Sequence, residues 1–444
     1  MILRCVALLA ALAAGWAASA APALAQGKKS DSVVKAKATA DKPAEGKQVV
    51  TITLDILAMG MIAPVLPRLV SSFLGDNTAR AAQVFGIFGT VWALMQFVFS
   101  PLLGSLSDRF GRRPVVLLSN LGLGLDYFVM ALAPNIGWLF AGRVVSGVTA
   151  ASLPTAMAYI ADVTPPEKRS AAFGMVGAAF GLGFVLGPAA GGLLGKFDPR
   201  LPFWVAGALS LVNALYGFFV LPESLAPEHR GHFSWKRANP VGSLVLLRSH
   251  RSLLNIAAVL VLGYLAHNVL ISTYILYVDY RYNWTAETAG FSLAAVGACS
   301  GVVGALLVKP LVKRFGDRVV MLLGLVLGAT GFAGFGLAST GLGFFLAIPV
   351  MALWGLSGPT AQSLMSRRVS PHEQGQLQGA INALRSAAGL FGPAMFTSVF
   401  AAAISPGTRW QSPGAPFYLA AGLIYASAAL ALFATREHAA GRVE

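Results

Sequence analysis

Apolar residues fill this chain in runs of roughly 20, the length that carries an α-helix across a hydrocarbon layer about 30 Å thick. The runs cover 48 to 72, 82 to 106, 114 to 133, 137 to 161, 170 to 194, 202 to 221, 252 to 277, 288 to 308, 318 to 338, 342 to 364, 376 to 402 and 415 to 434, with polar residues gathered in the gaps between them. Twelve membrane-spanning helices are therefore expected. Composition agrees: 444 residues that are 56% hydrophobic and only 11% charged are too apolar for a soluble domain of this length and ordinary for an all-α polytopic membrane protein.

The basic residues test the count. The even-numbered loops hold Arg109, Arg112, Arg113, Lys168, Arg169, Arg230, Lys236, Arg237, Arg248, Arg251, Lys309, Lys313, Arg314, Arg318, Arg367 and Arg368. The odd-numbered loops hold only Arg68, Arg80, Lys196, Arg200, Arg281 and Arg409. Sixteen against six places the even loops and both termini in the cytoplasm, as expected of a multi-pass protein of the cell's inner membrane. The net charge of +15, from 33 basic and 18 acidic residues, is thereby assigned to loops facing anionic headgroups, and nucleic acid is excluded as a partner. Two cysteines, Cys5 and Cys299, offer neither a disulfide framework nor a Cys-based zinc site, and no metal or cofactor is expected.

Residues 1–47 conflict with this orientation. "MILRCVALLAALAAGWAASAAPALAQ" has a basic start, an Ala/Leu-rich run and an A-x-A ending at Ala23-Leu24-Ala25, the pattern of a secretory signal. Cleavage there would put Lys28 to Lys47 outside. A start placed too far upstream, an uncleaved extra anchor and a genuine signal all remain open. The first is favoured because residues 48 onward already form a complete span. Residues 27 to 47, polar and without apolar period, are expected to be disordered.

An internal repeat orders the rest. Arg109-Phe110-Gly111 returns as Arg314-Phe315-Gly316, Pro154-Thr155-Ala156 as Pro359-Thr360-Ala361, and Gly187-Pro188 as Gly392-Pro393, each 205 residues on. The expected organisation is a six-helix bundle over 48–221, a cytoplasmic linker over 222–250, a second six-helix bundle over 251–435 and a tail over 436–444. In such parallel repeats the substrate path is expected between the halves, near the bilayer midplane.

The densest charge lies in "GSLSDRFGRRP", residues 104 to 114. With "LFAGRVVSGVTAA" at 139 to 151 and "GFVLGPAAGG" at 183 to 192, it resembles the loop and helix motifs of the major facilitator superfamily. "LDILAMGMIAPVLP" (54 to 67), "ALMQFVFSPLLG" (93 to 104), "LDYFVMALAP" (125 to 134), "GFSLAAVGA" (290 to 298) and "EQGQLQGAINAL" (373 to 384) narrow the likeness. They resemble the tetracycline/proton antiporter group of twelve-helix drug exporters, over roughly residues 49 to 434. The resemblance implies the major facilitator fold, proton-coupled drug efflux of the kind that confers antibiotic resistance, and small-molecule and proton partners for a monomer in the bilayer.

Physical chemistry gives the charged loop a role. Gly111 allows a tight turn and Pro114 starts the next helix, with Gly104 at the head of the motif. Asp108 can accept hydrogen bonds from a helix N-terminus, and Arg109, Arg112 or Arg113 can pair with Asp162 at the end of the fourth span. The resemblance makes this an ionic latch that holds one access state; the plainer reading is that the arginines only set topology. The matching second loop reads "KPLVKRFGDR", with Lys313 in place of Asp108, so one latch of this type is expected.

Ionisable groups at membrane depth are costly and are candidates for function by default. They are Asp55 in the first span, Asp126 in the third, Arg143 in the fourth, His267 in the seventh and Arg385 in the eleventh. A carboxylate in an apolar setting favours its neutral form and so exchanges a proton as its surroundings change. Asp126 is the leading coupling or substrate-contacting acid; Asp55 reads either as a second acid or as a helix-end charge. Arg143, one turn before Gly147, reads as a fixed partner for an acid, as a participant in coupling, or as both. His267 beside Asn268 reads as a substrate contact or as a satisfied buried histidine, and Gln96 as a hydrogen-bonding partner of substrate or of a neighbouring helix. Gly183, Gly187, Gly191 and Gly192, one turn apart, form a flat packing face, and Pro188 frees a bend, so the fifth span is expected to pack tightly and, by resemblance, to act as a hinge.

The departures limit the substrate. The resembled group carries a histidine in its eighth helix and an aspartate in its ninth; here those positions are Ser300 and Gly328, and Arg385 is an added cation, suited to an anionic substrate or to pairing with Asp126 or a helix dipole. Tetracycline itself is therefore disfavoured within the expected class of amphiphilic drugs, and a sugar or metabolite carrier remains the alternative. "GGLLGKF" at 191 to 197 lacks the residues of a phosphate-binding loop, which excludes an ATP-driven pump on this chain. No zincin or nucleophile-elbow motif occurs, so a membrane enzyme or a sensor is the remote alternative.

Overall fold

Prolines, glycines and polar caps cut the apolar runs into sixteen α-helices in the computed structural model, which describes residues 42–75, 77–150, 153–165, 169–230, 251–369, 374–407 and 411–434. In chain order they are α1 Lys42–Ile62, α2 Leu66–Ser72, α3 Thr78–Phe110, α4 Arg112–Leu132, α5 Ile136–Thr149, α6 Leu153–Val163, α7 Arg169–Gly195 and α8 Leu201–Val220. There follow α9 Arg251–Ser272, α10 Tyr274–Tyr282, α11 Ala286–Val302, α12 Val308–Leu337, α13 Gly341–Ala352, α14 Ser357–Ser366, α15 Gln374–Ile404 and α16 Ala415–Ala434. The signal-like residues 1–41, most of the expected linker (231–250) and the tail from 435 lie outside the described residues.

The boundaries have local causes. Pro64 and Pro67 stand at the break between α1 and α2, where proline supplies no N–H to continue the ladder. Asn135 caps α5 by accepting from the N–H groups of Gly137 at 3.0 Å and Trp138 at 3.3 Å. Asn283 closes α10 in the left-handed region, at φ 52°.

Eleven helical stretches among the described residues are long and apolar enough to cross a membrane. One of them, Ala286–Leu337, has 52 residues, about 78 Å of helix at 1.5 Å per residue, which is more than twice what a bilayer core needs. Its ladder breaks at Gly316, whose φ of 80° and ψ of 160° are not helical. It therefore counts as two crossings, and the expected twelve are recovered.

The chain divides into two units. The first comprises residues up to Val65 and Val98–Asn239; the second comprises Leu66–Phe97 and Pro240–Glu444, so α2 and the first part of α3 group with the later helices. In the first unit α1 packs on α7 and α8, and α4 on α8. Val49, Ile52, Ile56, Ala156, Ile160, Ala172, Val176 and Ala179 form one buried cluster there. Along its α1–α7 seam the backbones touch: a Cβ placed at Gly187 would lie 2.7 Å from the Gly60 Cα and 3.0 Å from the Leu57 carbonyl oxygen. One at Gly183 would meet Ile56, and one at Gly191 would strike the Met61 carbonyl. Only glycine permits this approach.

In the second unit α12 packs on α16 and α13, and α9 on α15 and α16. Its core is aromatic. Phe335 stacks on Phe344 at 4.3 Å, and Tyr277 packs edge-on against Phe417 at 4.8 Å and beside Phe344 while donating to the Phe335 carbonyl at 2.8 Å.

Candidate functional site

The turn at 104–114 is held by more groups than the motif itself contains. Gly111 adopts φ 105°, and a Cβ there would fall on the Glu223 carboxylate, 2.7 Å from its Cδ. Glu223 accepts the backbone N–H of Arg112 at 2.8 Å and of Arg113 at 3.3 Å, so this carboxylate, and not Asp108, caps the N-terminus of α4. It also accepts from the N–H groups of Ser224 and Leu225, closing the chain after α8 onto the turn. Asp108 pairs instead with Arg112 at 2.5 Å.

Arg112 is the hub. Its Nε donates to Asp162 at 3.2 Å and its Nη1 to the Ser107 hydroxyl at 2.7 Å, and its side chain is only 12% exposed. Ser224 donates to the same Asp162 oxygen at 3.2 Å. Arg113 donates to the Phe218 carbonyl and lies over the Phe218 ring at 5.5 Å, whereas Arg109 is exposed and lies over Phe110. Gly104 is half-buried with open space beside it.

The second repeat reproduces the arrangement with its charges exchanged. Gly316, 205 residues after Gly111, is again at positive φ. Adding the same 205 to Arg112 and Asp162 gives Asp317 and Arg367, and these form an ion pair at 2.7 Å. The expectation of a single latch is corrected in this respect: the Asp108 position is lost to Lys313, but the interhelical pair returns with acid and base exchanged.

Deep in the first unit, Asp55 accepts from the Asn213 amide at 2.8 Å, and Asn213 also donates to the Thr51 carbonyl at 2.9 Å, tying α8 to α1 at the acid. Asp126, on α4, is 2% exposed, and neither of its carboxylate oxygens has a hydrogen-bond partner among the described residues. The room it occupies is made by Gly142, where a Cβ would lie 2.8 Å from the Asp126 Oδ1. Arg143 lies within electrostatic range of Asp126, and the Arg143 guanidinium donates to the Ser146 hydroxyl at 2.7 Å and leaves Nε unpartnered. Tyr127 lies within electrostatic range of Asp55, Asp126 and Arg143, so these three form one neighbourhood. On the opposite flank of α1, Gly183, Gly187, Pro188, Gly191 and Gly192 are all buried, and α7 runs unbroken through Pro188.

Deep in the second unit, His267 stacks on Trp354, with centroids 4.9 Å apart and planes 11° from parallel. The His267 Nδ1 and the Trp354 Nε1 are both buried and unpartnered among the described residues. Arg385 lies over the Tyr264 ring at 5.1 Å and within electrostatic range of His267. Asn268 donates to the carbonyls of Tyr264 at 2.8 Å and Ala388 at 3.3 Å, fixing α9 to α15 beside this group. Gln96 is half-buried on α3. Gly328 is pressed against Trp354, whose Cα would be 2.9 Å from a Cβ there, so no aspartate fits at that position. No cluster of potential metal ligands occurs among the described residues.

Sequence reasoning missed Glu223, Asn213, Tyr127, Tyr264 and Trp354. Asn213, a lone amide in "LVNALY", and Glu223, at the end of an apolar run, were visible polar signals; the two aromatic residues beside His267 and Arg385 carried none.

The comparisons with known proteins agree on this architecture. The sequence profile of the Major Facilitator Superfamily matches residues 49–393. The chain is 38% identical over 374 residues to the class C tetracycline resistance protein of Escherichia coli, covering 83% of this chain and 93% of that one. It is 33% identical over 356 residues to the class B protein of Escherichia coli, covering 79% and 87%. Among solved structures, the nucleoside transporter NupG superposes with a TM-score of 0.74 at 14% identity, covering 88% of this chain and 100% of that one.

Proposed function

The chain belongs to the Major Facilitator Superfamily, a family of transporters and not of enzymes, and we propose that it is a proton-coupled exporter of a small amphiphilic molecule or drug. The observation that carries this reading is Asp126: a carboxylate 2% exposed at membrane depth, without a hydrogen-bond donor among the described residues, held in the field of Arg143. A fully satisfied carboxylate would stay ionised and inert; one whose only countercharge is a nearby guanidinium exchanges a proton when that guanidinium moves or a ligand arrives. The similarity to tetracycline resistance proteins supports drug export as the direction and class.

Roles follow for the other residues. Asp55, positioned by Asn213, is the second acid on the proton route. Arg143 sets the charge state of Asp126, with Ser146 holding the guanidinium. Gln96 and His267 contact the transported molecule. Arg112, Asp108 and Asp162, with the glycines of the turn and the flanking Arg109 and Arg113, hold one access state and release it during the cycle. The Gly183–Gly192 face and Pro188 act as the hinge. By the bias of Lys and Arg toward even loops, the protein sits in the inner membrane with both termini cytoplasmic, its organisation following the two repeats and the 222–250 linker. The drive suffices, since one charge crossing 100 mV supplies about 2.3 kcal/mol before any pH gradient is added.

The test is accumulation in energised inverted membrane vesicles of a panel containing tetracycline, other amphiphilic drugs and sugars. Uptake of an amphiphilic compound that collapses on adding a protonophore is expected. Uptake that is indifferent to the protonophore, or confined to sugars, would refute it and favour a metabolite carrier.

A further inference from the structure

Arg385 carries a positive charge that no described acid of its own unit pairs with. It lies eight residues inside the apolar span Leu377–Ile404 (385 minus 377), about 12 Å along the helix. The described acids of this unit are Asp279, Glu287 and Asp317. Asp279 is paired with Arg68 at 3.0 Å, Asp317 with Arg367, and Glu287 lies in the first turn of α11. Arg385 makes no ion pair among the described residues; its guanidinium rests on the face of Tyr264 and the residue is exposed, not wrapped by protein.

Three further features surround it. Tyr264 and His267 are one turn apart on α9, and both lie within electrostatic range of Arg385. Trp354 stacks on His267 and presents an indole N–H with no acceptor among the described residues, beside an imidazole Nδ1 equally unpartnered. Asn268 bonds α9 to α15 directly beside the group, so the cation and the aromatic wall are held in register. An uncompensated cation at membrane depth is costly, and an anion attached to a flat apolar body relieves it while its ring covers the aromatic wall formed by His267 and Trp354.

We infer that Tyr264, His267, Trp354 and Arg385 form a recognition site for an amphiphilic organic anion, an aromatic carboxylate being the simplest member, with the carboxylate on Arg385 and the ring against the His267–Trp354 wall. This names the class of molecule that the export reading leaves open, and rests on that reading.

The experiment is equilibrium binding to the full chain in lipid nanodiscs, with no gradient, using 2-naphthoate and its neutral isostere 2-naphthamide as probes. Saturable naphthoate binding is expected below about 1 mM, with naphthamide at least ~10-fold weaker. Arg385→Gln should weaken naphthoate about tenfold or more and leave naphthamide unchanged, while Arg385→Lys retains naphthoate within about threefold. Equal binding of the two probes, undiminished binding by Arg385→Gln, or no saturable naphthoate binding overturns the site. If Arg385→Gln does not fold by gel filtration, the probe comparison on the wild-type chain and Arg385→Lys decide. Because no gradient is used, failure of proton-coupled export leaves naphthoate binding standing; export of neutral drugs without naphthoate binding sinks only this inference.

Discussion

Replacing Gly187 by alanine adds one methyl group at the α1–α7 seam, where it meets backbone. The new Cβ would stand 2.7 Å from the Gly60 Cα and 3.0 Å from both the Gly60 carbonyl carbon and the Leu57 carbonyl oxygen. None of these three backbone atoms can swing aside as a side-chain tip would, so reaching a contact of about 3.5 Å requires the helices to part by roughly 0.8 Å. A gap of that size forfeits a quarter to a half of each dispersion contact along the seam, and overpacking of this kind costs about 1–3 kcal/mol. The Gly→Ala gain in helix propensity offsets at most about 1 kcal/mol. The control is on the same helix: at Gly181 a Cβ meets nothing within 4 Å, so the same substitution there should be neutral or slightly stabilising. The assay is thermal unfolding of the two purified variants in one detergent, followed by gel filtration. Gly187→Ala is expected to melt several degrees below the parent and Gly181→Ala at or above it. Equal midpoints for the two variants would refute the backbone-contact account.

Other predictions address the polar groups. Asp162→Asn and Arg112→Ala should each slow transport about tenfold or more, and the double variant should be no slower than Arg112→Ala, which already deletes the Asp162 pair along with the Asp108 pair; additive losses in the vesicle assay would separate their roles. Asn213→Leu removes the donor to Asp55 and should reduce transport at least as much as it reduces thermal stability, whereas Asn213→Gln should recover little because its longer arm does not fit a 2.8 Å contact. Placing aspartate at 328, where the resembled drug exporters carry one, should lower the yield of folded protein because Trp354 fills the space; normal yield would show that Trp354 moves freely.

Much of the fold was legible because membrane helices must be apolar for about 20 residues and must end at prolines, glycines or charges. Gly111 and Gly316 announced themselves as a repeat and share positive φ in the structure. The second ion pair is hidden in the sequence because residue identity does not repeat at the 205-residue offset: Asp317 and Arg367 stand where Arg112 and Asp162 do, with acid and base exchanged. Glu223 was invisible as a cap because its partners lie 111 and 110 residues earlier, and only the return of α8 brings them together. Asn213 reads as a lone amide until the packing of α1 on α8, 158 residues apart in sequence, sets it against Asp55. Asp126 and Arg143 were each identified by their cost in an apolar setting; what the sequence could not supply was that Gly142 opens the space for the carboxylate.

The central claim is that Asp126 couples transport to protons. The most direct measurement is the luminal pH of energised inverted vesicles, read by an entrapped dye, when substrate is added to the parent protein and to Asp126→Asn at matched expression. Substrate-dependent proton release from the lumen is predicted for the parent and its loss for the variant, with the variant still inserted in the membrane. Proton release of equal size from Asp126→Asn, or substrate accumulation by the parent with no proton movement, would contradict it.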